Sequence, residues 1–313
     1  MKCLVTGGAG FIGSNLVDRL LEEGHVVKVY DNFSTGRELF VSHHLNDSKF
    51  VLVKADLGDK ERLDKEMVGM DFVFHLAAHA DVRSGLNDHE VDHRENLEMT
   101  RNVLEAMYKN GVGKIMFSST SSVYGDAIVH PTPEDYPFEP TSLYGATKAA
   151  CESYIRTYAS YYGMNSYIFR FVSFTGERYT HGIVCDVLRK LKNNPVELEL
   201  FSDGTPRKSS LYVRDGVEAI LMVIRTSKEQ FNVFNIGHDE VVTVDNIVDW
   251  IVDAGGYKGV RKNWLGKGSN WKGDNEFVHL ANDKLKGLGW RPTLSIEEGI
   301  RRTADYILGN KLL

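Results

Sequence analysis

Gly7-Gly8-Ala9-Gly10-Phe11-Ile12-Gly13 stands directly after the apolar run Cys3-Leu4-Val5 and directly before a stretch whose apolar residues share one helical face. Those residues are Ile12, Leu16, Val17, Leu20 and Leu21, and Gly24 ends the pattern. A glycine triplet alone is weak evidence, because turns are rich in glycine. Between a buried strand and an amphipathic helix it has a specific use. The glycines permit a tight turn and let backbone N–H groups approach a pyrophosphate, which then rests on the positive end of the helix. Gly7, Gly10, Phe11, Ile12 and Gly13 are therefore expected to cradle a dinucleotide.

Working outward, short apolar runs alternate with helical patterns. Strands are expected at Val26–Tyr30, Phe50–Lys54, Phe72–Leu76, Lys114–Ser118 and Ser166–Phe171, and helices at Glu95–Lys109 and Tyr144–Tyr162. Such alternation predicts a doubly wound parallel sheet of the Rossmann α/β type, with a ligand crevice at the carboxyl ends of the strands. This nucleotide-binding domain spans residues 1–172. After Phe171 the rhythm breaks, and residues 173–313 read mainly as a smaller C-terminal α/β lobe for substrate. About residues 231–255, starting with Phe231–Ile236, are expected to rejoin the main sheet.

The gross numbers exclude several classes. A net charge of −6 and the lack of any Lys/Arg block argue against nucleic-acid binding. No apolar run approaches the roughly 20 residues of a membrane helix. Cys3, Cys151 and Cys185 are too few and too scattered for a disulfide framework or metal cluster, which suits a cytoplasmic, reducing setting. His89 and His93, four apart among Asp88, Glu90 and Asp92, read as a solvated face, and no metal is expected.

The second strand runs into Asp31, with Asn32 and Ser34-Thr35-Gly36 close behind. An acidic side chain at that place accepts hydrogen bonds from ribose hydroxyls and repels a 2′-phosphate, favouring NAD over NADP. Asp56-Leu57 suits the adenine edge, and Leu76-Ala77-Ala78 offers small residues where the cofactor passes.

Ser118 to Gly125 is a hydroxyl-rich segment following the fifth strand, and Tyr144 and Lys148 lie four apart on one helix face. A free phenol has a pKa of about 10. A neighbouring ammonium and an oxidised nicotinamide would both favour its phenolate. Tyr144 would then take a proton from a substrate hydroxyl, Thr120 would hold that oxygen, and Lys148 would grip the nicotinamide ribose.

On these residues the chain resembles the extended short-chain dehydrogenases/reductases of the nucleotide-sugar epimerase/dehydratase family, and within it the UDP-glucose 4-epimerases. The matching stretches are the glycine loop, Asp31 to Gly36, His75-Leu76-Ala77-Ala78, Asn96 ahead of Asn102 to Ala106, Ser118 to Gly125, and Tyr144 to Lys148. Gly289-Trp290-Arg291-Pro292 and Glu297-Glu298-Gly299 complete them. The resemblance implies that Asn96, Ser118 and Val172 also border the NAD. It implies a UDP-hexose substrate, and a homodimer through a four-helix bundle of the Glu95–Lys109 and Tyr144–Tyr162 helices. In family dehydratases an Asp-Glu pair follows the Thr; here Ser121-Ser122 follow Thr120, so oxidation at C4, rotation of the keto sugar and hydride return are implied instead.

The substrate positions depart from the family pattern. Ser173 stands where relatives carry an Asn, and Lys208-Ser209-Ser210 replaces an Arg-Asp-aromatic triplet, beside Arg207. Ser173, Arg178, Arg207 and Lys208, with Thr120 and Tyr144, are the expected substrate contacts. A later Arg of many epimerases falls near Trp271-Lys272. Three readings remain beside UDP-glucose/UDP-galactose interconversion. They are an epimerase of another nucleotide sugar (a UDP-uronic acid, a UDP-N-acetylhexosamine, a dTDP- or GDP-sugar), a non-catalytic NAD-binding sensor, and a net reductase.

Overall fold

The computed structural model describes residues 1–266, 275 and 277–313, so Trp271 and Lys272 lie outside the described residues. Strands β1 (Lys2–Thr6), β2 (Val26–Asp31), β3 (Phe50–Lys54), β4 (Phe72–His75), β5 (Lys114–Thr120) and β6 (Asn165–Phe171) alternate with helices α1 (Phe11–Glu22), α2 (Lys60–Met67), α3 (Met99–Lys109) and α4 (Leu143–Tyr162). Beyond them come β7 (Ser173–Thr175), α5 (Ile183–Asn193), β8 (Glu197–Leu200), β9 (Arg207–Lys208), β10 (Ser210–Tyr212), α6 (Val213–Thr226) and β11 (Phe231–Ile236). The last elements are β12 (Val242–Thr243), α7 (Val244–Ala254), β13 (Arg261–Trp264), β14 (Phe277–Val278), α8 (Asp283–Gly287) and α9 (Ile296–Gly309).

Seven parallel strands form the main sheet in the order β11-β6-β5-β4-β1-β2-β3. The chain winds from β1 outward through β2 to β3, returns to β4, and winds the other way. Between β1 and β4 the crossovers part to opposite sides, which opens a crevice at the carboxyl ends of those strands. Phe231–Ile236 rejoins the sheet beside β6, as the sequence predicts.

The two-residue period of the strands divides the core. Phe72 and Phe74 of β4 pack on the face that carries Leu16, Val17 and Leu20 of α1 and Val217 and Ile220 of α6. Val73 points the other way, toward Leu63 of α2, Leu104 and Met107 of α3 and Ile155 of α4. A leucine fully buried in this way contributes roughly 1.5–3 kcal/mol. A third apolar cluster joins α5, α7, α9 and β8 through Val187, Leu188, Leu198, Ile251 and Ile300.

Three local features differ from the expected elements and shape the site. β5 runs on to Thr120, so the first three residues of the hydroxyl-rich segment are strand. Asp31 is the last residue of β2 itself. The helix expected from Glu95 opens as a π-turn, His93–Glu98, before regular α-helix at Met99. One extra residue per turn there rolls Asn96 inward, where it is 2% exposed. Among the described residues no helix is long and apolar enough to cross a membrane.

Candidate active site

Two glycines of the loop, Gly7 and Gly13, are packed so tightly against backbone that they have no substitutes. Gly7 has φ +69°, and a Cβ on it would lie 2.6 Å from the backbone nitrogen of Ala77. A Cβ on Gly13 would fall 2.2 Å from the carbonyl oxygen of Gly7. Gly10 N–H donates to that same oxygen at 3.1 Å and closes the turn. No side chain caps α1 at Gly10, which leaves the first-turn amides for an external anion.

Asp31 fastens this loop to the end of β2. Its Oδ2 accepts from Ala9 N–H at 2.9 Å and its Oδ1 from Phe33 N–H at 2.8 Å. Burial raises the carboxyl pKa, against the two backbone donors, which lower it. Gly36 is held against the carboxylate, since a Cβ there would approach Oδ1 to 2.9 Å. Asn32 accepts from Ser34 N–H at 2.9 Å and donates to Asp56 Oδ2 at 2.7 Å. The ends of β2 and β3 are thereby joined, with Ser34 and Thr35 exposed. Leu57 is buried behind Asp56, and its carbonyl accepts from Asn102 at 3.1 Å.

Across the crevice, β4 delivers Leu76, Ala77 and Ala78, all half-buried. His75 beneath them is a structural residue. Its ring nitrogens meet Thr6 at 2.7 Å and Thr100 at 3.0 Å, and burial pushes its pKa down to about 3. Asn96 holds the backbone of His79, accepting from its N–H at 2.8 Å and donating to its carbonyl at 3.3 Å.

Thr120, Tyr144 and Lys148 come together. Thr120 ends β5 at 9% exposure and caps the turn that follows, accepting from Ser122 N–H at 3.1 Å. Ser142 caps α4 by accepting from Gly145 N–H at 3.1 Å, which sets Tyr144 in the first turn near Thr120, whose side chain favours the Tyr144 phenolate. Lys148, 2% exposed, donates to the carbonyl of Ser118 at 2.9 Å. Its ammonium sits 4.6 Å from the Phe117 ring centroid and 5.9 Å from that of Tyr144. Burial lowers its pKa to about 8.

The protein's own groups leave the Tyr144 pKa raised. Burial raises it, the Thr120 side chain opposes that only in part, and Asp92 adds to the rise. Asp92, in the stretch read as solvated, is fully buried and carries an Oδ2 with no hydrogen-bond partner. Its Oδ1 lies 3.4 Å from His79 Nδ1. Nothing in the sequence distinguishes it from its exposed neighbours; it is the residue that leads into the π-turn. His89 and His93 are exposed, as expected.

The expected substrate residues are less united. Val172 is buried, and Ser173 opens β7 with an exposed side chain. Arg207 and Lys208 form β9, between β12 and β14. Arg207 lies 5.1 Å over the Phe277 ring, and Lys208 donates to the carbonyl of Asn275. Arg178 is engaged elsewhere: its guanidinium pairs at 2.7 Å with Asp18 on α1.

Glycines that only a hydrogen fits, uncapped helix amides and a carboxylate at the end of β2 match a dinucleotide, and the profile of the NAD dependent epimerase/dehydratase family matches residues 3–237. The chain belongs to that family. It is 32% identical to a putative UDP-glucose 4-epimerase of Methanocaldococcus jannaschii over 98% of both chains. A solved UDP-galactose 4-epimerase is 39% identical with a TM-score of 0.89, each chain covered in full. A UDP-glucose 4-epimerase of Thermotoga maritima, solved with UDP-glucose, is 32% identical with a TM-score of 0.88, covering 99% of this chain and 100% of its own. The family is wider than this reaction. Solved neighbours include a UDP-glucuronic acid 4-epimerase from Bacillus cereus with UDP-glucuronic acid and NAD, and a dTDP-glucose 4,6-dehydratase from Streptomyces venezuelae with NAD. The chain is therefore an NAD-dependent nucleotide-sugar enzyme of the epimerase/dehydratase family.

Proposed function

We propose that this enzyme is a 4-epimerase of a UDP-hexose, interconverting UDP-glucose and UDP-galactose. The observation that carries this reading is the pairing of Thr120 and Tyr144 over Lys148 with serines, not carboxylates, at 121 and 122. Bound NAD would supply a reversible hydride acceptor for C4 of the sugar. Thr120 holds the O4 oxygen, and Tyr144 removes its proton and later gives it back. The rise imposed on Tyr144 by burial means that this phenol ionises only beside positive charge. Lys148, tied to Ser118, holds an ammonium one helical turn behind the ring. Without an acid-base pair after Thr120, nothing next to the threonine drives loss of water, so the 4-keto sugar returns to a hexose.

In the substrate lobe, Ser173, Arg207 and Lys208 are the proposed diphosphate contacts, Arg178 being held by Asp18. A lysine cannot reproduce an arginine fork, so a different nucleotide sugar is the second reading. The homodimer is proposed on Tyr108, Tyr154, Tyr161 and Tyr162, 43–74% exposed along α3 and α4. Three buried free thiols agree with a cytoplasmic protein.

The test is incubation of the purified protein with UDP-galactose, followed by chromatography of the sugars. UDP-glucose is the expected product, and Tyr144→Phe is expected to abolish its formation while retaining NAD. No product from a folded, NAD-loaded protein rejects the reading. Product from another sugar of a substrate panel selects the second.

A further inference from the structure

Away from the crevice, Asp18 on α1 and His43 and His44 in a 3-10 turn place three donor atoms within 4.8 Å of one another. His44 Nε2 lies 2.7 Å and His43 Nε2 3.1 Å from the same oxygen, Asp18 Oδ1. We propose that Asp18, His43 and His44 form a binding site for a divalent transition-metal ion of the zinc type, which fastens residues 38–45 to helix α1.

Two imidazole nitrogens and a carboxylate oxygen are the donors such ions prefer. Adjacent histidines seldom aim at one point, but here the turn Ser42–His44 aims both. It is anchored by His44 N–H donating to the carbonyl of buried Val41 at 3.0 Å, and the two rings lie 3.9 Å apart. The His44 ring also rests 5.6 Å from Phe50 of β3, so its direction is set by packing. The carboxylate is oriented from behind. Arg178 donates to Asp18 Oδ2 at 2.7 Å and leaves Oδ1 to the histidines, as outer partners orient the ligands of metal sites. Arg178 also carries a buried Nη1 with no hydrogen-bond partner, a donor left over for an acceptor such as a metal-bound water.

Zinc-type bonds of about 2.0–2.2 Å separate tetrahedral donors by roughly 3.3–3.5 Å. Both contacts must lengthen to reach that spacing, His43 Nε2 from 3.1 Å and His44 Nε2 from 2.7 Å, so the Asp18 carboxylate as well as the 48% exposed His43 side chain must rotate. The nearby guanidinium repels the cation, so the affinity expected is micromolar, below that of a structural zinc centre. Arg37 N–H donates to the carbonyl of Ala9 at 2.9 Å, so the segment already touches the glycine loop at one end. The metal would pin its other end to the helix that follows that loop.

The experiment titrates chelator-treated, full-length protein with Co2+, followed by visible d–d absorption, and with Zn2+ by calorimetry and thermal unfolding. One equivalent of each is expected to bind, and zinc is expected to raise Tm. His43→Ala and His44→Gln should each weaken binding at least tenfold and abolish the Tm shift. His43→Ala removes an exposed ring and leaves the fold intact. No binding, binding that survives His43→Ala, or binding lost only in a His89→Ala/His93→Ala variant overturns the proposal. None of these readouts depends on the reaction the enzyme catalyses.

Discussion

Lys148 donates to the carbonyl oxygen of Ser118 at 2.9 Å, so the ammonium behind Tyr144 latches the first turns of α4 to the end of β5. The latch holds a charge that burial disfavours. The ordinary lysine pKa of 10.5 falls to about 8 in the folded chain. Between those values the unfolded chain binds more protons, so the contribution of Lys148 to stability rises with pH across this window. Below about pH 8 the full cost of burying the ammonium is present. Each unit of displacement is worth about 1.4 kcal/mol. Lys148→Met is expected to remove this slope. Urea denaturation of both proteins at intervals across the window measures it, and equal slopes would contradict the assignment.

Asp92 raises the pKa of Tyr144 through its buried charge. Asp92→Asn keeps the shape and removes that charge, so the phenol should ionise more readily. The acidic limb of the kcat/KM profile is expected to move to lower pH. An unmoved limb would show that Asp92 is neutral in the folded enzyme.

Gly13→Ala places a methyl group 2.2 Å from the Gly7 carbonyl oxygen, a backbone atom that cannot step aside. Overpacking of this kind costs about 1–3 kcal/mol and here deforms the phosphate cradle itself. Lower Tm together with loss of NAD from the purified protein is the expected result, read by calorimetry and by absorbance of the released nucleotide.

Beside Ser119, its register partner on β5, Arg170 pairs with Glu152 at 2.8 Å, and both side chains are nearly inaccessible. Arg170 also donates to the Tyr124 hydroxyl and the Glu134 carbonyl, both at 2.7 Å. Removing one charge strands the other, so Arg170→Met and Glu152→Gln should each cost about 3–5 kcal/mol. The double variant should lose less than the sum. A double-mutant cycle in denaturant checks it, and strict additivity would deny the coupling.

How much of this was legible in the sequence follows from the range of each interaction. The glycine loop, Asp31 and the Tyr144/Lys148 pair were legible because a few residues of local spacing determine them. The seven-stranded sheet was legible because strand and helix periods differ sharply. The burial of Asp92 was not, since nothing within a polar segment marks which of its residues the fold turns inward. Nor was the fate of Arg178: its partner Asp18 lies far away in sequence, and only the fold brings α1 against the loop after β7. The lack of a lowered phenol pKa was equally hidden, because spacing shows a nearby ammonium but not the cost of desolvation.

The parting of the crossovers between β1 and β4 has an evolutionary reading. The proposed hydride chemistry rests on β5 and α4, whereas the proposed diphosphate contacts hang on β7 and β9, separate peptides with separate supports. A lineage can therefore exchange one sugar for another by editing short stretches after residue 172 while its redox apparatus is inherited untouched. Selectivity and catalysis in this enzyme are free to diverge at different speeds.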